Sequence, residues 1–235
     1  MAVRLSRRMQ ALAALVEPCQ SLADVGCDHA YLSLALLESG RVKRALAMDI
    51  RPGPLKRARE HIAAEGMADR IEVRCSNGLA SYHPGETKAI LISGMGGGLI
   101  RDILEADLPS AREAGQIILG AQSDLPMLRA WLLDRGFVTQ AQDLVEDGGK
   151  WYFLARVRYQ EGNRGDCSWT PEELAYGKLL IENRHPLLKV YLRREEAMLK
   201  SILAALPQGK VRRREEILER LKQNRRARLR ISEEK

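Results

Sequence analysis

Short apolar segments alternate with helical segments through the first 160 residues, with only a few residues between them, and that rhythm leaves few folds open. Ser21–Cys27 reads as a buried strand, Ala30–Ser39 as a helix ended by Gly40, and Arg44–Ile50 as a second strand. Pro52–Ala64 is a predicted helix with Gly66 just past its end. Arg70–Cys75 and Ala89–Ser93 are predicted strands, with a turn at His83-Pro84-Gly85 between them. After the glycine run Gly94–Gly98, Leu99–Leu104 starts another helix. Gln116–Ala121 reads as a strand, Leu125–Asp134 as a helix, and Phe137–Leu144 and Trp151–Tyr159 as strands around a turn at Asp147-Gly148-Gly149. A short amphipathic helix carrying Leu5, Met9, Leu12 and Val16, closed by Pro18, precedes them all. Repeated β-α-β units with short links imply a parallel sheet with helices on both faces. The last two strands have only a tight turn between them and must pair antiparallel, because parallel neighbours need a crossover.

An open parallel sheet ending in one reversed hairpin is the Rossmann-like plan of class I methyltransferases, and it occupies residues 1–160. Residues 161–235 form a second unit. Glu161–Ser168 reads as a linker, and Thr170 caps a helix that begins at Pro171. Leu188, Tyr191, Leu192, Met198, Leu199, Ile202, Leu203 and Leu206 then make a helical apolar stripe. Leu206-Pro207-Gln208-Gly209 breaks it, and Val211–Ile231 is a second, very basic helix with a thin stripe of Ile217, Leu218 and Leu221. The pair reads as an antiparallel, coiled-coil-like helical hairpin. Charge divides along the same line: residues 1–175 carry a net −2 and residues 176–235 a net +9. Such asymmetry marks a polyanion-binding arm on a balanced domain; a solvated helical surface accounts for it equally well.

At 45% hydrophobic and 29% charged, the chain can bury a core and is not disordered as a whole. Its longest stretch without a charge, Ala89–Ile100, is too short for a membrane span. No apolar signal core follows Met1, so secretion is not expected. Cys19, Cys27, Cys75 and Cys167 form no C-x-x-C pair, which fits free thiols in a reducing cytoplasm rather than a disulfide scaffold or zinc site. His29, His61, His83 and His185 have no metal-ligand spacing, and no nucleophile elbow is present. Nothing here decides the oligomeric state; a monomer is the favoured reading.

In an open α/β sheet, ligands bind beyond the carboxyl ends of the strands. After the first strand stands Asp24-Val-Gly-Cys-Asp-His-Ala-Tyr31. Gly26 matches a dinucleotide fingerprint, but Asp28 occupies the next glycine position. A carboxylate there repels a pyrophosphate and suits S-adenosylmethionine (SAM), which carries a sulfonium and an ammonium. Alternatively Asp28 only caps the helix starting at Ala30. Asp49, ending the second strand beside Ile50, can accept both ribose hydroxyls, or can cap the helix after Pro52. Ser76-Asn77-Gly78 offers an amide oxygen to an adenine amino group, or is a plain turn. Gly94-Met95-Gly96-Gly97-Gly98 leaves room for a flat base or the methyl donor, although a loop packed against a helix would look the same. No Asp/Asn-Pro-Pro-Tyr motif for exocyclic-amine methylation follows the fourth strand.

These words together resemble the bacterial TrmK family: Leu5-Ser6-x-Arg8, Asp24-x-Gly26-x-Asp28-His29-Ala30-Tyr31-Leu32, Gly53-Pro54, Asn77-Gly78-Leu79, Gly94-Met95-Gly96-Gly97, Glu146-Asp147-Gly148 with Tyr152, and Tyr176-Gly177. The likeness runs from about residue 5 to 192. It departs from the family's usual Glu at Asp49 and Asp at Asn77, and both replacements keep an acceptor oxygen. The resemblance implies a SAM-dependent methyltransferase acting on N1 of adenosine 22 in the D-loop region of tRNA. It implies a cofactor site of Arg8, Asp24, Gly26, Asp28, Asp49, Ile50, Asn77, Gly78, Gly94, Met95 and Gly96. Asp28 would stabilise the cationic product base, His29 and Tyr31 would stack on or orient it, and Arg8 would pair with the SAM carboxylate or simply contact RNA. Arg212, Arg213, Arg214, Lys222, Arg225, Arg226, Arg228 and Arg230 are expected to meet RNA phosphates, unless the second helix only buttresses the first. Competing readings are a SAM methyltransferase on another RNA, an NAD oxidoreductase, which Asp28 disfavours, and a catalytically silent RNA-binding protein on a relic Rossmann domain.

Overall fold

A computed structural model of the chain describes residues 5–162 and 169–232. Cys167 and most of the expected linker, residues 163–168, lie outside the described residues. The chain divides into two compact units, Met1–Cys167 and Ser168–Lys235.

The first unit runs α1 (Arg7–Leu15), β1 (Cys19–Val25), α2 (Tyr31–Glu38), β2 (Val42–Asp49), α3 (Pro52–Ala64), β3 (Ile71–Cys75), β4 (Ala89–Met95), α4 (Gly97–Ala106), α5 (Leu108–Glu113), β5 (Gln116–Ala121), α6 (Leu125–Asp134), β6 (Phe137–Asp147) and β7 (Lys150–Tyr159). Its seven strands are ordered β3-β2-β1-β4-β5-β7-β6. All neighbours from β3 to β5 are parallel. β7 is antiparallel to both β5 and β6, so one strand is reversed. The chain grows from β1 toward β3 and then returns to β4 and β5, which puts the topological switch between β1 and β4.

Side chains of each strand alternate between two cores. Ile118 of β5 packs with Leu12, Leu34, Leu36, Ala58 and Ile62 of α1 to α3. Its neighbours Ile117 and Leu119 pack with Ile100, Leu104, Leu128 and Leu132 of α4 and α6. Burial on both faces explains why β5 is a continuous apolar run rather than an alternating one. Helix α5 was not expected from the sequence. Its six residues are too few for a readable period, and Asp107 caps it by accepting from Ser110 N.

The second unit comprises α7 (Pro171–Tyr176), α8 (Lys178–Glu182), α9 (Pro186–Ala205) and α10 (Val211–Ser232). Thr170 and Glu173 form a full capping box at α7. Gly177, at φ 100°, ends α7 and opens α8. Helices α9 and α10 lie antiparallel, closed by Leu188, Leu192, Leu199, Ile217 and Ala227. Part of the expected stripe is not core: Met198, Ile202 and Leu218 are exposed.

A buried carboxylate holds this hairpin in register. Glu195 Oε1 accepts from Arg220 Nε and Nη2 at 3.0 and 2.8 Å and from the Tyr191 hydroxyl at 3.1 Å. Oε2 accepts from the Tyr176 hydroxyl at 2.6 Å and Asn224 Nδ2 at 2.9 Å. Burial beside this carboxylate pushes the Tyr191 phenol up to about 12. No helix among the described residues is long and apolar enough to cross a membrane.

Candidate active site

A cleft of about 520 Å³ opens at the switch point, above the carboxyl ends of β1 to β5. Arg8, Asp24, Gly26, Asp28, His29, Tyr31, Asp49, Ile50, Asn77, Gly78, Gly94 and Met95 all line it. These residues come from several separate segments of chain, and the strand ends bring them together.

The turn from β1 to α2 is tightly shaped. Gly26 takes φ 76°, and a Cβ there would run into Met95 Cε. Asp28 and Ala30 hold left-handed backbone, at φ 50° and 58°. Non-glycine residues take that conformation at a cost of order 1 kcal/mol or more, and such strain collects at functional sites. Helix α2 begins at Tyr31, and the residue at its cap position is Ala30, with no side-chain cap. The reading of Asp28 as a helix cap is therefore corrected. Its carboxylate sits 3.6 Å from His29 Nε2 and is 60% exposed.

Asp24 is buried and accepts from the Ser33 hydroxyl at 2.7 Å. Burial pushes its carboxyl up to about 6, against the Ser33 hydrogen bonds that hold it down. Asp49 is also buried. Its Oδ1 accepts from Arg51 N at 2.9 Å and Arg51 Nε at 3.3 Å. No side chain caps α3, so Asp49 is not that helix's cap. Ser76 builds the next turn, donating to Gly78 O and accepting from Ser81 N, which leaves Asn77 exposed at the rim.

Arg8 reaches the cleft from α1. Its backbone N–H donates to Asp147 Oδ2 at 3.0 Å, and its guanidinium lies 5.2 Å from the centre of the Tyr152 ring. The Ser6 hydroxyl and the Arg8 N–H hold Asp147 below the usual carboxylate range. Two sequence words separated by 139 residues thus meet, and they direct Arg8 Nη1 toward Gly94.

The glycine run divides. Gly94 and Met95 face the cleft, whereas Gly96 does not line it. Gly96 precedes α4, and a Cβ there would meet Ser123 Oγ at 2.9 Å. Gly97 lies inside α4, where a Cβ would meet Ser123 O at 2.7 Å. Close packing of α4 on the β5–α6 loop, not ligand space, explains these two glycines; the expectation for Gly96 is corrected.

Sequence reasoning missed Arg51, Ser93, Leu99 and Gln122, which also line the cleft. The strand-end rule could have found Gln122, the first residue after β5. It also missed His61 of α3, whose Nδ1 donates to His29 O at 3.2 Å beneath the Tyr31 ring. His29 Nδ1 is buried with no hydrogen-bond partner.

The basic helix splits as well. Arg212, Arg213, Lys222, Arg225 and Arg226 are exposed. Arg213 pairs with Glu216 at 3.0 Å and Lys222 with Glu219 at 3.3 Å, exposed pairs that bind weakly. Arg214 donates to Leu206 O, Arg228 pairs with Glu196, and Arg230 reaches Glu173 at 2.8 Å. These last three are half-buried and held by partners within their own unit. Each therefore braces its own unit, Arg230 by tying α10 to α7, a role that the phosphate expectation did not include.

Residues 5–154 match a family model described as a methyltransferase domain. The tRNA (adenine(22)-N(1))-methyltransferase of Bacillus subtilis (strain 168) is 31% identical over 178 residues, 76% of this chain and 74% of its own length. The chain belongs to the TrmK family. Among solved structures, M. capricolum TrmK in complex with S-adenosyl-homocysteine is 25% identical, with a TM-score of 0.83 over 97% of this chain and 99% of that one. Streptococcus pneumoniae Sp1610 in complex with S-adenosyl-L-methionine is 29% identical, with a TM-score of 0.84 over 96% and 100%.

The donor set of this TrmK-family cleft fits SAM. Its lining brings together a buried carboxylate at Asp49, a guanidinium at Arg8 and further carboxylates at Asp24 and Asp28, groups able to meet hydroxyls, a carboxylate and cationic groups. Among the described residues, no group of three or more His, Cys, Asp or Glu could hold a metal ion.

Proposed function

We propose that the protein methylates N1 of adenosine 22 in tRNA, using SAM. One observation carries the reading: acidic, guanidinium and aromatic groups from separate segments line a single cleft at the switch point of a TrmK-family sheet. SAM, when bound, supplies a methyl group on a sulfonium. Asp49 would accept the ribose hydroxyls, Asn77 the adenine amino group and Arg8 the carboxylate, with Ile50 and Gly78 walling the adenine.

N1 lies on the Watson–Crick edge, so the target base must leave its stack. His29 and Tyr31, at the mouth of the cleft, would hold the extruded ring. N1 carries a free lone pair near neutral pH and needs no strong general base. The N1–CH3 bond forms as the S–CH3 bond breaks, the sulfonium becoming a thioether and the base a cation. Alignment supplies most of the rate, and Asp28 faces the charge that develops on the base. Exposed Arg212, Arg213, Lys222, Arg225 and Arg226 would meet tRNA phosphates, with the enzyme working as a cytoplasmic monomer.

The test is methyl transfer from labelled SAM to unmodified tRNA transcripts carrying A or G at position 22, read by nucleoside mass spectrometry. 1-Methyladenosine formed only on the A22 transcript is the expected result. Methylation elsewhere on the transcript would discard the site assignment, and no methylation would discard the activity.

A further inference from the structure

Gln122 follows β5 directly, and its backbone N–H donates to Met95 O at 2.9 Å, pinning it beside the end of β4. Gln122 lines the cleft and is exposed, and its amide has no hydrogen-bond partner among the described residues. Strands lie about 4.8 Å apart, so β5 stands roughly 14 Å from β2 across the sheet. With the donor's nucleoside held by Asp49 and Asn77 at β2 and β3, its methionine arm runs over β1. The acceptor base would then enter between the His29 and Tyr31 mouth after β1 and the wall of Ser93, Leu99 and Gln122 at the ends of β4 and β5.

An adenine attacking through N1 must turn that atom toward the methyl group, so N1 is not available for recognition. The adjoining edge stays open to recognition, with an N6–H donor beside the N7 acceptor. A carboxamide carries one acceptor and one donor at matching spacing, and Gln pairs with adenine N6 and N7 in this way. Guanine offers O6 and N7, two acceptors, and mismatches the same amide.

We propose that Gln122 reads the N6/N7 edge of the target adenine, its Oε1 accepting from N6 and its Nε2 donating to N7, so that N1 is left facing the methyl donor. The assignment rests on the methyltransferase reading above. It makes Gln122 a specificity residue that no sequence motif had marked.

The experiment pairs wild type and Gln122→Ala with ligated tRNAs carrying adenosine or 7-deazaadenosine at position 22; the analogue replaces N7 by C–H and keeps N1 and N6. Wild-type kcat/KM is expected to fall about tenfold on the analogue. Gln122→Ala should fall by a similar factor on adenosine and lose nothing further on the analogue, while its calorimetric affinity for S-adenosylhomocysteine stays at the wild-type value. Gln122→Glu keeps the acceptor for N6 but sets a carboxylate against N7, and it should prefer the analogue, a reversal that a merely structural role cannot produce. Full sensitivity of Gln122→Ala to 7-deazaadenosine, or indifference of wild type to it, would overturn the assignment. Wild type leaving the ordinary A22 transcript unmethylated would overturn the underlying activity and this assignment together.

Discussion

The Tyr31 ring stacks on the His61 ring, with centroids 4.9 Å apart and planes 25° from parallel. His29 flanks both, 5.5 Å from Tyr31 and 5.7 Å from His61. Helix α3 thereby steadies the aromatic mouth of the cleft through a residue that does not itself line it.

This stack predicts unequal effects. Base–aromatic stacking contributes about 1–3 kcal/mol, so Tyr31→Ala should lower kcat/KM on tRNA by roughly tenfold or more, with Tyr31→Phe close to wild type. An aromatic pair contributes about 0.5–1.5 kcal/mol, so His61→Ala should raise KM for tRNA a few-fold and leave kcat nearly intact. Steady-state kinetics on the three variants check this; equal losses in kcat and KM for His61→Ala would count against a positioning role.

The two carboxylates at the cleft should separate cofactor binding from turnover. Hydrogen bonds to a charged group contribute about 1.5–3 kcal/mol, so Asp49→Ala should weaken SAM binding by roughly tenfold or more in calorimetry. Asp28 is largely exposed and water-screened. Asp28→Asn should therefore lower kcat only a few-fold while SAM affinity stays near wild type.

Asp24 makes stability depend on pH. Its folded value of about 6 lies above the unfolded carboxylate value, so the native state holds the proton more tightly. The stabilisation is full below about pH 4 and is lost as pH rises through 6, amounting to about 3 kcal/mol. Asp24→Asn removes the dependence. Melting temperatures of wild type and variant, measured without cofactor from pH 4 to 7, should diverge in that window.

The basic hairpin should divide into binding and bracing residues. Replacing Arg225 and Arg226 together by Ala should weaken tRNA binding and reduce the salt slope by about 2, with the melting temperature unchanged. Removing a partner from a buried ion pair costs about 3–5 kcal/mol. Glu195→Ala, which removes the buried carboxylate from half-buried Arg220, Tyr176, Tyr191 and Asn224 together, should accordingly lower the melting temperature sharply, and Arg230→Ala should lower it modestly. Filter binding across a salt series and thermal denaturation separate the two groups.

Local punctuation made several elements legible before any coordinates. Pro52–Ala64, Gln116–Ala121 and Leu125–Asp134 keep the bounds that proline, glycine and apolar runs suggested. The parallel sheet and its reversed strand followed from link lengths, because a tight turn cannot join parallel neighbours. Asp24, Asp28, Asp49, Asn77 and Gly94 were visible as candidates because each sits at or just past a strand end, and a parallel sheet gathers those ends on one edge.

Distance along the chain hid the rest. Arg8 meets Asp147 and Tyr152, Tyr31 meets His61, and Gly97 meets Ser123 only after the sheet and helices pack. Glycine composition could not tell ligand space at Gly94 from helix packing at Gly96, since both need the absent Cβ. Arginine composition could not tell exposed Arg225 from Arg228, which faces Glu196 across the hairpin. Residue type and spacing set which elements form and which strand ends converge; the choice of neighbour for each buried or paired side chain is a long-range matter, and only the packed chain makes it.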